Sequence, residues 1–245
     1  METPLEVLRD AGGVLAVAKP AGLPTQAPPG IVSVESLVRR RLFGAAADVG
    51  GRHPGGFLAV PHRLDRPVSG VLLLATTPRA ARQVSRQFER RQVVKTYLAL
   101  VHLPTGASAL LVPGDTFTWR DVVRKVPDEP RAEVTATGVA GAREAVTAGR
   151  VVAVGPGVAR VELVPETGRM HQLRVQAATR GMPVLGDVLY GGRPDGGDLP
   201  PRGDPRSGSI ALHAWRIAYT DPVDGRRVEV VCPPPAAWGE GVGSG

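Results

Sequence analysis

Asp65 sits in the run His62-Arg63-Leu64-Asp65-Arg66, with an arginine two positions before it and another immediately after. A nearby cation favours the ionised form of a carboxylate, and an ionised aspartate is available as a nucleophile. By residue type alone, a surface aspartate in a salt-bridge network explains the same run. Histidines stand at 53, 62, 102, 171 and 213 without the spacing of zinc ligands, so His62 and His171 read as structural hydrogen-bonding groups. Cys232 is the sole cysteine, which excludes an intramolecular disulfide and a thiolate zinc cluster within the chain.

A reactive carboxylate needs a rigid frame, and the surrounding sequence reads as one. Val14–Ala18 is a short apolar run closed by Lys19-Pro20, which predicts a strand ending in a turn. Ser33 caps a predicted helix with Val34, Leu37, Val38 and Leu42 on one side and Arg39, Arg40 and Arg41 on the other, stopped at Gly44. Gly44–Gly56 has no period and many breakers, and reads as a loop. Phe57–Val60 and Val71–Ala75 read as short buried strands, which leaves Asp65 on the polar loop between them. Thr77-Pro78 opens a helix whose Arg79, Arg82, Arg86 and Arg90 share one face, while Val84 and Phe88 lie on another. A solvated surface and a set of phosphate contacts both fit that basic face.

Val93–Val101 predicts a strand, whereas His102–Arg150 is turn-rich, with apolar patches too short to assign. Gly157–Val164 alternates, Ala159, Val161 and Leu163 against Arg160 and Glu162, as a half-buried strand does. His171–Arg180 suits a short helix stopped by Gly181, with His171, Arg174 and Ala178 on one face. Gly192–Gly208 reads as a mobile insert, and Asp224-Gly225 as the turn of a hairpin between Ile210–Tyr219 and Arg226–Val231. Pro233–Gly245 reads as a disordered tail. Many strands and few helices predict an α+β domain over residues 1–232, with a central mixed, largely antiparallel sheet.

The 245 residues carry 30 Lys and Arg against 23 Asp and Glu, a net charge of +7 that favours a polyanionic partner, nucleic acid first. No stretch has the pattern of a secretion signal or a membrane span, and with one cysteine a reducing, cytoplasmic setting is expected.

The run HRLDRPVSGVLLLA from His62 to Ala75 resembles the catalytic motif of RluA-type pseudouridine synthases, usually HRLD, two variable residues, then TSG. Further segments match that family in its order: VLAVAKPAGLPT, KTYLALV, TGRMHQLR, GMPVLGDVLYGG and LHA. The resemblance spans roughly Val14–Asp224 and implies a mixed sheet split by an active-site cleft. It also implies isomerisation of uridine in structured ribosomal or transfer RNA, without cofactor or metal, by a protein expected to be monomeric. By the same resemblance Asp65 corresponds to the catalytic aspartate. Tyr97 corresponds to the tyrosine that lies against the target base and takes a proton, and Arg174 to the arginine that pairs with the aspartate. Arg63 corresponds to the residue that helps displace the flipped nucleotide, Leu173 to a pocket position and Lys19 to a lysine near the cleft. Arg169, Arg82 and Arg86 complete the expected RNA contacts. Without the resemblance, Tyr97 reads as core packing and Arg174 as a solvated helical arginine.

The chain departs from the family at Val68, where a threonine hydroxyl is usual, with Pro67 before it; Gln176 stands where a histidine is common. An S4-type RNA-binding module is not expected in the few residues before Val14, so RNA selection is expected to rest on the domain and its loops. A non-catalytic RNA-binding or RNA-remodelling protein of the same fold is the alternative. A hydrolase using His62 and Asp65 lacks a second well-placed carboxylate.

Overall fold

The structure, a computed structural model, describes residues 5–44, 56–104, 111–192, 208–236 and 238. The chain is α+β, a mixed and mostly antiparallel arrangement of strands with few helices. It divides into two compact units: the residues up to Val93 with Ala214–Pro233, and those from Val94 with Ser209–His213 and Pro234–Trp238. The expected loops at 44–56 and 192–208 fall almost wholly outside the described residues, as does the tail beyond Trp238.

In the first unit β1 (Glu6–Ala11) and β2 (Val14–Lys19) form a hairpin, and β2 pairs antiparallel with β3 (Ser69–Ala75), Leu15 opposite Leu74 and Val17 opposite Leu72. Beside β3 runs β9 (Leu212–Thr220), and β10 (Arg227–Val231) pairs with its later residues around the predicted Asp224-Gly225 turn. Val14–Val17 and Val71–Ala75 are buried on both faces, which is why their sequences are continuous apolar runs rather than alternations. β1 escapes sequence reading because EVLRDA is a partly exposed edge strand with three charges. Of Phe57–Val60, only Ala59 makes a bridge, to Ala75, so this segment is not a full strand.

α1 (Val34–Phe43) starts at Ser33 with a reciprocal capping box to Ser36. Arg39 corrects the expected outward arginine face: it is buried, held by Glu35 one turn earlier and by the Leu58 carbonyl. α2 (Pro78–Glu89) starts at Thr77, whose Oγ1 accepts the Ala80 N–H, and packs on β3. Gln87 fixes its far end by a two-way amide pair with the Thr220 backbone, at 2.8 and 2.7 Å.

In the second unit β4 (Val94–His102), β8 (Val158–Pro165), β7 (Arg143–Gly155), β5 (Thr116–Lys125) and β6 (Ala132–Val134) lie in that order, each antiparallel to the next. β8 buries Ala159, Val161 and Leu163 as its alternation predicts. The His102–Arg150 region, read as turn-rich, contains β5, β6 and most of β7. β5 and β7 have one solvated face bearing Arg120, Glu144 and Arg150, and a bulge near Val151 breaks the period of β7.

α3 (Gln172–Thr179) packs on β5 and β6, with Val175 in a cluster of Val123, Ala132 and Ala145. Of the expected tail, residues 233–236 and 238 are described. Trp238 is buried, meets the His213 ring edge-on at 6.0 Å, and its carbonyl accepts from Arg160.

Candidate active site

Asp65 lies on the loop from Pro61 to Val68, between Ala59 and β3, as predicted, and its side chain is partly exposed. The loop closes on itself where the Val68 N–H donates to the Asp65 carbonyl at 3.0 Å. Val68, standing at the usual threonine position, is 3% exposed, so an apolar anchor occupies the place of the family's hydroxyl. Behind it Gly70 has φ 116, and a Cβ there would lie 2.3 Å from the Ala214 carbonyl oxygen. Only glycine lets β3 and β9 approach so closely at the base of the loop.

Three residues of the AKPAGLPT stretch clamp this loop. Thr25 Oγ1 accepts the Leu64 N–H at 3.1 Å and donates to the Leu64 carbonyl at 2.8 Å. The Gly22 N–H donates to the Arg66 carbonyl, and Arg66 Nε donates back to the Gly22 carbonyl. Lys19, 1% exposed, donates through Nζ to the Pro20 and Arg66 carbonyls at 2.9 and 3.1 Å. Burial lowers its ammonium to about 7, the charge of Asp65 opposing that fall and Arg66 adding to it. The backbone on both sides of Asp65 is therefore fixed, while the carboxylate keeps solvent access. Thr25 and Gly22 were not site candidates by sequence; their partners lie about forty residues away in the chain, a separation no local pattern encodes.

His62, at the loop entrance, accepts the Leu73 N–H at Nε2 (2.9 Å) and stacks on Phe88 of α2 at 4.7 Å between centroids. The predicted structural role of this histidine is what its contacts describe. Arg63 is exposed, as are Arg82 and Arg86 on α2. Lys19, Arg63, Asp65, Arg82 and Arg86 thus belong to the first unit.

Tyr97, Arg169, Leu173 and Arg174 belong to the second. Tyr97 is half-buried on β4, opposite Leu163 of β8. Near it in sequence, burial also lowers the Lys95 ammonium below its ordinary value. Arg169 donates Nε to the Glu144 carbonyl at 2.8 Å, and Leu173 is buried in α3. Arg174 is no solvated helical arginine: it is 4% exposed and grips Asp187 with Nε–Oδ2 at 2.6 Å and Nη2–Oδ1 at 2.7 Å. Its guanidinium also lies 5.1 Å from the centre of the Tyr190 ring. Tyr190, in the 3-10 turn Val188–Tyr190, accepts the Ala132 N–H through its hydroxyl, which stands 2.9 Å from His171 Nδ1. His171 precedes α3 in the left-handed region, φ 52.

A buried polar chain fixes α3 to the sheet. Thr167 Oγ1 donates to Gln172 Oε1, Gln172 Nε2 donates to Thr147 Oγ1, Thr147 Oγ1 donates to Gln176 Oε1, and Gln176 Nε2 donates to Asp121. Arg180 completes it at Asp121, 3.0 Å away. Gln176, in place of the family's histidine, is fully buried and links the helix to β5 and β7. Asp187, Tyr190 and Gln172 are structural supports that sequence reading did not single out, whereas Gln176 was marked only as a departure from the family pattern. GMPVLGDVLYGG carries a family resemblance but assigns no roles within it.

Burial pushes the Cys232 thiol up to about 11, with the charge of Glu6 adding to the rise, which disfavours its thiolate at neutral pH. Among the described residues no group of three or more His, Cys, Asp or Glu side chains is arranged to hold a metal ion.

Residues 13–179 match the family model described as RNA pseudouridylate synthase. The chain is 35% identical to the ribosomal large subunit pseudouridine synthase D of Xylella fastidiosa, over 96% of this chain and 67% of that one. It is 32% identical to the dual-specificity RNA pseudouridine synthase RluA of Yersinia pestis, over 89% of this chain and 94% of that one. Human RNA pseudouridylate synthase domain containing 1 is a structural neighbour, with a TM-score of 0.69 at 28% identity over 96% of this chain and 87% of that one.

Proposed function

This chain belongs to the RNA pseudouridylate synthase family and is an RNA pseudouridine synthase, an isomerase, and we propose that Asp65 is the nucleophile acting on a uridine flipped out of structured ribosomal or transfer RNA. The isomerisation breaks the bond between N1 and C1′ and makes one between C5 and C1′; the proton at C5 leaves and N1 gains one. No electron is gained or lost overall. The work falls on an ionised carboxylate near the ribose, a proton acceptor beside the base and a site that keeps the freed uracil in place.

The observation that carries this reading is the clamp on the Asp65 loop. Thr25, Gly22 and Lys19 hold the backbone at Leu64 and Arg66, so the intervening carboxylate is aimed at low conformational cost while staying partly exposed. In this reading Tyr97 lies against the base and takes the C5 proton, and Arg174 orients the carboxylate. Arg63, exposed two residues before Asp65, fills the space the flipped nucleotide leaves. Extrusion costs on the order of a few kcal/mol, which contacts to the RNA backbone offset.

The test is pseudouridine mapping by carbodiimide-blocked primer extension across total RNA, from cells with the protein, without it, and with Asp65→Asn. The expected result is at least one stop that disappears in the deletion and in Asp65→Asn alike. A stop that persists with Asp65→Asn would overturn the assignment of the nucleophile.

A further inference from the structure

α2 displays arginines where a structural helix would place other residues. Arg79, Arg82, Arg86 and Arg90 are exposed, fall on one side of the helix, and make no ion pair with a described residue. Glu89 is the only acid in the helix, so the i,i+4 carboxylates that normally lace a solvated face are missing. Arg79 stands in the first turn, where the helix dipole disfavours a cation, and no acid is present there to compensate.

The end of the helix points the same way. The Gln92 N–H donates to the Gln87 carbonyl and the Arg91 N–H to the Phe88 carbonyl, the pattern of a Schellman motif. Its left-handed position, normally glycine, is Arg91, with φ 58 and an exposed side chain. The chain thus keeps a strained cation where glycine would relieve the backbone. Over the eleven steps from Arg79 to Arg90 the row extends about 16 Å, a length that suits successive phosphates rather than a single anion. The helix is fixed to its unit by the Gln87–Thr220 pair and touches the Asp65 loop through Phe88 and His62.

We propose that Arg79, Arg82 and Arg86 on α2, with Arg90 and Arg91 at its C-terminal end, form a phosphate rail that grips the sugar–phosphate backbone of the RNA beside its target nucleotide. It rests on RNA being the substrate, and it adds an extended site, with Arg91 as a member that local stability would select against.

The probe is a fluorescently labelled RNA hairpin, its binding followed by anisotropy as KCl is raised from about 50 to about 200 mM. Arg82→Gln/Arg86→Gln is expected to weaken binding and to flatten the dependence of log K on log salt by about two units, near 0.9 for each phosphate no longer neutralised. Arg91→Gly is expected to raise the thermal midpoint while flattening the slope by about one unit. A control pair in the other unit, Arg143→Gln/Arg150→Gln, is expected to leave the slope unchanged. Wild-type slopes in the α2 variants, or an equal flattening in the control pair, would overturn the rail. Because this readout is binding, it stands apart from the mapping of modified uridines, and failure of one result does not imply failure of the other.

Discussion

Arg174 and Asp187 form a two-pronged ion pair inside the second unit, at 2.6 and 2.7 Å, with side chains 5% and 1% exposed. The arginine that family resemblance assigns to the catalytic aspartate is thus held from α3 by a second carboxylate, just before the Val188–Tyr190 turn. Breaking a buried pair by removing one member typically costs about 3–5 kcal/mol, because the remaining buried charge loses the hydrogen bonds that offset its desolvation. Asp187→Ala is therefore expected to lower unfolding stability by about 3 kcal/mol, measured by urea denaturation. A drop below about 1 kcal/mol, the range of exposed pairs, would show that the pair is not buried in solution.

Lys19 makes stability depend on pH. Its ordinary value, 10.5 in the unfolded chain, falls to about 7 in the folded one, chiefly through burial. Between those values the unfolded chain binds more proton than the folded chain, so stability rises with pH across the window. Below about 7 the full cost of burying the charge is present; above 10.5 it is gone. The difference across the window is on the order of 5 kcal/mol, at about 1.4 kcal/mol per pKa unit. Lys19→Met should flatten the rise, and above 10.5 it should be the less stable protein because two carbonyls are left without their donor. Denaturation curves for both proteins across this pH range give the slopes; parallel slopes would refute the assignment.

Gly70→Ala should be among the most damaging substitutions in the chain. It places a side chain at φ 116 and a Cβ 2.3 Å from a backbone oxygen of β9 that has no flexible end to move aside. A destabilisation of about 3 kcal/mol or more is expected, read as soluble yield and thermal midpoint. Near-wild-type stability would mean that β3 and β9 are not this close.

Gln176→Leu keeps the size of the side chain but removes a donor to Asp121 and an acceptor for Thr147. Leaving such groups unsatisfied in the interior costs about 1–3 kcal/mol each. The expected effect is a destabilised protein with faster amide exchange in α3, measured by hydrogen–deuterium exchange. Unchanged protection in α3 would show that the chain from Thr167 to Asp121 does not hold the helix.

What the sequence determined by itself is what short-range chemistry encodes. Continuous apolar runs at Val14–Val17 and Val71–Ala75 mark strands buried on both faces, and Ser33 and Thr77 mark helix starts because capping is settled within a few residues. The HRLD run puts Asp65 on its loop for the same reason. Tertiary structure decided what depends on partners distant along the chain. The β5–β7 pairing depends on a register that two half-solvated strands reveal only when they meet, and Arg39 is buried because Glu35 and the Leu58 carbonyl satisfy it there. The supports of the candidate site, Thr25 on Leu64, Lys19 on Arg66 and Asp187 on Arg174, are likewise hydrogen bonds across folded space, where position in three dimensions counts and spacing in the chain does not.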